Sequence, residues 1–89
     1  MFEELALANL KAMARPSAHD AVLARILRDA RLKSGLSQEN AAHAAGITVG
    51  ALARLERGET NPSWSTVRSV AAAVGLSMHA LGKAVDAAG

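Results

Sequence analysis

The stretch from Ser37 to Gly58, SQENAAHAAGITVGALARLERG, constrains the fold more than any other part of this chain. It reads as two short helices joined by a tight turn. Ser37 stands where a side-chain oxygen can accept a hydrogen bond from a free N–H at a helix start. A small, largely alanine helix then runs from Gln38 to Ala45. Gly46 follows, at a position where a left-handed backbone costs glycine least. Ile47 points inward, and Thr48 caps a second helix, about Val49 to Arg57. Leu52 and Leu55 form the inner side of that helix, and Gly58 stops it.

A short helix, a glycine turn and a second helix at a steep angle make a helix-turn-helix, whose second helix can enter a DNA major groove. The flanking sequence is helical too. Twenty-one of the 89 residues are alanine, and strand-type alternation is missing, so the fold class is all-α. A first helix is expected over residues 2–14, with Phe2, Leu5, Leu10 and Met13 near one stripe. Arg15-Pro16 breaks it. Ser17 and Asp20 resemble a capping box for a helix from about Ala18 to Ser34, with Leu23, Ile26, Leu27 and Ala30 inside and Gly35 at its end. After the polar turn Glu59–Pro62, Ser63 caps a helix over Trp64–Val74, with Trp64, Val67, Val70, Ala71 and Val74 expected inside as core or partly exposed packing. Ser77 caps a last helix, about Met78 to Ala87, with Leu81 and Val85 inside.

Charge and composition narrow the function classes. The net charge is +2, and its basic excess sits before Ser37, at Arg25, Arg28, Arg31 and Lys33. A small excess matters for nucleic acid only where it is clustered. There is no cysteine, so no disulfide or thiolate metal site. His19, His43 and His79 lack ligand partners at helical spacing, and Glu39 with His43 is an incomplete metal pair. No nucleophile with a base, carboxylate pair or phosphate-cradling loop marks an enzyme, and no cofactor is expected. No signal sequence or membrane-length apolar run is visible, so the expected compartment is the cytoplasm.

The string from Leu27 to Ser77 resembles the Cro/Xre (lambda-repressor-like) helix-turn-helix family. The landmarks are Arg31, Gly35-Leu36-Ser37-Gln38, Ala42, Gly46-Ile47-Thr48, Leu52, Leu55-Glu56-Arg57-Gly58, Asn61-Pro62-Ser63 and Gly75-Leu76-Ser77. The resemblance implies a compact five-helix DNA-binding domain over residues 17–89, with residues 1–16 as an N-terminal helical extension outside the match. It implies a sequence-specific transcriptional regulator, a repressor acting as a homodimer on double-stranded DNA. The alternative is an antitoxin or interaction module whose N-terminal helix binds a protein partner.

The same resemblance distributes roles. Gln38 matches a glutamine that contacts phosphate. Thr48, Val49, Gly50 and Arg54 take the groove-facing positions of the recognition helix. Thr48 can donate to phosphate, Val49 can pack on a thymine methyl, and Arg54 is the one long polar reader. Arg57 and Asn61 are candidate phosphate ligands; Arg25, Arg28, Lys33 and Arg68 are weaker ones. Arg31 and Glu56 match an internal ion pair. Met78, Leu81 and Val85, and the stripe of Phe2, Leu5, Leu10 and Met13, are candidate dimer or partner faces. That N-terminal stripe either folds back on its own domain or buries against a second subunit.

Overall fold

The computed structural model describes residues 18–88, with side chains from residue 21. The expected helix over 2–14 and its stripe, and the Ser17 cap, lie outside the described residues. The described chain forms α1 (Ala18–Ser34), α2 (Gln38–Ala45), α3 (Val49–Glu56), α4 (Trp64–Ala73) and α5 (Met78–Ala88).

Local side chains set these bounds. The hydroxyls of Ser37, Thr48, Ser63 and Ser77 accept from the backbone N–H groups of Asn40, Ala51, Thr66 and Ala80, at 3.0–3.1 Å. At their other ends α1 to α4 close in one manner. The residue after each glycine donates back to a carbonyl five positions earlier, as Ile47 does to Ala42 at 3.0 Å. This Schellman closure requires a left-handed residue, and Gly46 supplies it with φ 72°. Gly58 does the same after α3 with φ 71°.

The core lies where the helices converge. Leu27 of α1, Leu52 of α3 and Val70 of α4 are the largest fully buried side chains. Ala41 and Ala42 bring α2 close to α4, its most extensive packing partner, because an alanine face allows near approach. Leu81 fastens α5 beneath α1 and α4. Ile47 is half-buried against this core.

Four expectations need adjustment. α3 ends at Glu56, and Arg57 is its right-handed C-cap, with φ −88°. α4 ends one residue early because Val74 is its C-cap, whereas α5 runs on to Ala88. Trp64 does not turn inward: it follows the Ser63 cap in the first turn of α4 and is 65% exposed. Val67, Val70, Ala71 and Val74 fill the core without it.

Candidate nucleic-acid interface

The turn between α2 and α3 holds the second helix with its outer face in solvent. Thr48, Val49, Gly50 and Arg54 are all exposed. Gly50 and Arg54 are four apart and share one helix side. A Cβ added at Gly50 would meet nothing within 4 Å, so the backbone there is open to close approach. The Thr48 hydroxyl oxygen accepts from Ala51 N–H at 3.0 Å and retains its own proton as a donor. The first turn of α3 carries no acid, so its partial positive charge is uncompensated. Among the described residues Arg54 has no ion-pair partner.

Behind this face lies a buried polar network. Arg31 Nε and Nη2 donate to the two Glu56 carboxylate oxygens at 2.7 and 2.9 Å. Arg31 Nη1 also donates to the Leu36 carbonyl at 2.9 Å, tying α1 to the segment leading into α2. Gln38 Nε2 donates to Glu56 Oε1 at 3.0 Å. One carboxylate at the end of α3 therefore joins α1, α2 and α3. Burial by itself pushes the Glu56 carboxyl up. Hydrogen bonds from Arg31 and Gln38 and the charges of Arg31 and Arg28 outweigh it and hold the group below the usual carboxylate range. The Glu56 hydrogen bond raises the Arg31 guanidinium further, against the opposing effect of burial.

The sequence places Gln38 at the first turn of α2 as a phosphate ligand; the structure gives its amide nitrogen an internal partner as well. The remaining amide N–H and the amide oxygen stay available. Around it, Arg28, Gln38, Ala53, Glu56 and Arg57 line a recess of about 410 Å³. Arg28 had no distinguishing sequence signal beyond lying three residues before Arg31, the i, i+3 spacing that puts both on one side of α1. The fold brings it to the α3 side, while Arg68 lies at a different groove, between α4 and the turn into α5, beside Ser65 and Ser69. Arg25, Lys33 and Asn61 are exposed.

Arg57 is exposed but engaged. Its Nε and Nη2 donate to the two Glu59 oxygens, each at 3.0 Å. The acid two residues on thus competes for a cation that the sequence offers to phosphate. Glu59→Gln is expected to tighten binding to duplex DNA at low salt, with the gain fading as salt rises. Titration of wild type and variant against one random duplex checks this. Equal affinities would mean that the Arg57–Glu59 pair has no bearing on binding.

The candidate partner face on α5 is less open than its sequence suggests. Leu81 is 4% exposed and belongs to the core. Met78 and Val85 are half-buried and line a groove with Leu23, Trp64 and Val67. Among the described residues no group of three or more His, Cys, Asp or Glu is placed to hold a metal ion, and Glu39 and His43 are exposed. No described helix is long and apolar enough to cross a membrane.

Comparison with known proteins agrees with this arrangement. A 60-residue match, 43% identical, relates the chain to the HTH-type transcriptional regulator DdrOP3 of Deinococcus deserti. It covers 67% of this chain and 46% of that protein, so the chain spans about half the length of the curated relative. Two crystal structures of the clp gene regulator ClgR from Corynebacterium glutamicum superpose with TM-scores of 0.73 and 0.75, at 27% and 26% identity. Each superposition covers 83% of this chain, and 95% and 79% of the respective ClgR chains. The family described as the helix-turn-helix domain matches residues 22–83, from α1 into α5. The chain belongs to the helix-turn-helix domain family.

Proposed function

We infer that this chain is a sequence-specific DNA-binding transcriptional regulator, with α3 as its recognition helix and residues 17–89 as its DNA-binding domain. The observation that carries the reading is the exposed face of α3, where Thr48, Val49, Gly50 and the unpaired Arg54 stand together at the mouth of the helix turn. Arg54 reads a base edge, with guanine as the natural two-point partner. Val49, 40% exposed, offers methyl groups to a thymine. Gln38, Arg57 and Asn61, with Arg28 beside them, hold phosphates and set register, a role that carries no sequence information. The protein acts as a repressor by occluding its site. Two copies place their α3 helices in successive major grooves about 34 Å apart on a near-palindromic operator. DNA as the ligand makes the cytoplasm its compartment. No cofactor takes part, and the role is binding, not catalysis.

Selection of bound sequences from a random duplex pool tests the reading and returns half-site spacing. Arg54→Ala is then expected to weaken binding to the selected site by about 1–3 kcal/mol, roughly 5- to 150-fold, and to relax one position of the motif. Removing a phosphate ligand such as Asn61 or Arg57 weakens all sequences alike; for the Arg57 cation the salt slope drops by about 0.9. Failure to enrich any sequence at low salt, or an unchanged affinity in Arg54→Ala, would overturn the assignment.

A further inference from the structure

The groove between α1, the Pro62–Trp64 corner and α5 is an apolar opening on the described surface that the DNA-binding face does not use. Its volume is about 460 Å³. Leu23, Trp64, Val67, Met78 and Val85 line it, and Asp86 is its charged wall residue. Trp64 stands in it 65% exposed, although an indole is among the most apolar surfaces a chain can bury. An exposed apolar patch of this kind marks a place where something docks.

Gly82 is an independent pointer. It lies inside α5 and lines the groove. Mid-helix glycine is disfavoured against alanine. No neighbour demands it here, since an added Cβ would meet nothing within 4 Å. Its backbone is bare toward the groove, which suits another chain segment lying close against α5.

We propose that the occupant is the N-terminal segment of the same chain, residues 1–16, seated by Phe2, Leu5, Leu10 and Met13. Those apolar residues recur at helical spacing along one stripe and match the groove in character. Reach favours the same chain over a second copy. Residues 14–17, four positions, separate Met13 from the start of α1, a span of up to about 14 Å. Leu23 lies about 7.5 Å along α1 from Ala18, so the segment can turn at Arg15-Pro16 and return to the groove. A tether this short presents the segment at about millimolar effective concentration, which a second copy matches only at comparable protein concentration. Lys11 and Arg15 are balanced in the segment by Glu3 and Glu4, so its match to the groove is apolar and not one of net charge. None of the residues that line the groove belongs to α3.

Trp64 is the sole tryptophan and reports on its own groove. In the full chain, acrylamide quenching of its fluorescence is measured from about 1 to 100 μM protein, well below the millimolar local concentration. The expected result is a shielded, blue-shifted tryptophan whose quenching does not change with protein concentration. Leu5→Glu/Leu10→Glu in the full chain is expected to abolish the shielding and shift emission to the red. Gly82→Glu is expected to do the same from the groove side, with helical circular dichroism retained because the new side chain starts in open space. A tryptophan as accessible in the wild type as in these variants would overturn the proposal. Shielding that grows with concentration alongside a dimer mass in sedimentation would also overturn it, and would assign the groove to a second copy.

Discussion

Glu56→Ala is expected to destabilise the folded domain by about 3–5 kcal/mol, because it leaves the Arg31 guanidinium buried with no counter-charge. Arg31 is 8% exposed and cannot swing out without also abandoning the Leu36 carbonyl. Gln38 loses its internal acceptor in the same step. Against a total stability of about 5–15 kcal/mol for a small domain, a loss of this size leaves a measurable fraction unfolded near 37 °C. Urea unfolding followed by circular dichroism checks it through a lower midpoint at nearly constant m. The control is Arg31→Met/Glu56→Leu, which removes both charges and keeps apolar volume. It should recover most of the loss, since apolar replacement of a buried pair is often neutral or better. A double variant as unstable as Glu56→Ala would show that packing, not the orphaned charge, sets the penalty.

The same group sets the acid limit of stability. Its carboxyl is held below the ordinary value in the folded chain. The folded state therefore binds the proton less readily than the unfolded state. The contribution of Glu56 is complete above the ordinary carboxylate value of about 4.3 and is lost as pH falls through the depressed folded value. The raised Arg31 value adds nothing in this window, because its contribution is fully present below its ordinary alkaline value. The wild-type advantage over Glu56→Gln should consequently shrink as acid is added, which parallel urea titrations at neutral and acid pH would read.

Leu52→Ala is the second large effect, an expected loss of about 2–5 kcal/mol. Leu52 is 0% exposed and, with Leu55, anchors α3 in the core. Its neighbours Ala41 and Ala42 have no further side-chain length with which to fill the space. The Thr48 cap at one end of α3 and the Glu56 network at the other keep the backbone from sinking into the void. The cost therefore includes most of the cavity, beyond the lost transfer free energy. Unlike the Glu56 variant, it should be the same at neutral and acid pH. A loss below about 1 kcal/mol would mean that α3 collapses onto the core, and its orientation toward DNA would then shift.

Much of the fold was readable residue by residue, and the reason is the range of the interactions involved. The starts of α2, α3, α4 and α5 follow from hydroxyls that reach N–H groups three residues on. The ends of α1 to α4 follow from glycines whose conformation closes the last turn. Both are local hydrogen-bond chemistry, written within a few positions. The misjudged ends of α3 and α4 fell one residue short of the glycine, at the C-cap residues Arg57 and Val74, and among the described residues the last turn of α5 has no such glycine.

The site was less readable, because its partners are remote in sequence. The exposure of Thr48, Val49, Gly50 and Arg54 on one face of α3 follows from helix periodicity once Leu52 and Leu55 are inside. The resemblance to the Cro/Xre family supplied the Arg31–Glu56 pairing, which spans 25 positions and which periodicity alone does not suggest. Nothing local announced that Gln38 would spend one donor on Glu56, 18 positions away. Arg28 and Arg68 look alike as helix-surface charges, and only packing sends the first to the α3 side and the second to the α4–α5 groove. Trp64 was expected as core or partly exposed packing from its place after a cap and from the family resemblance; the core closed over Val67 and Val70 and left the indole outside. By itself the sequence determined where helices begin and end and which face of each is apolar, since caps, glycines and periodicity act over a single turn. The tertiary structure decided which charges meet, which are left for a ligand and which apolar side chain stays in solvent, since those outcomes depend on distances between helices that no local rule sets.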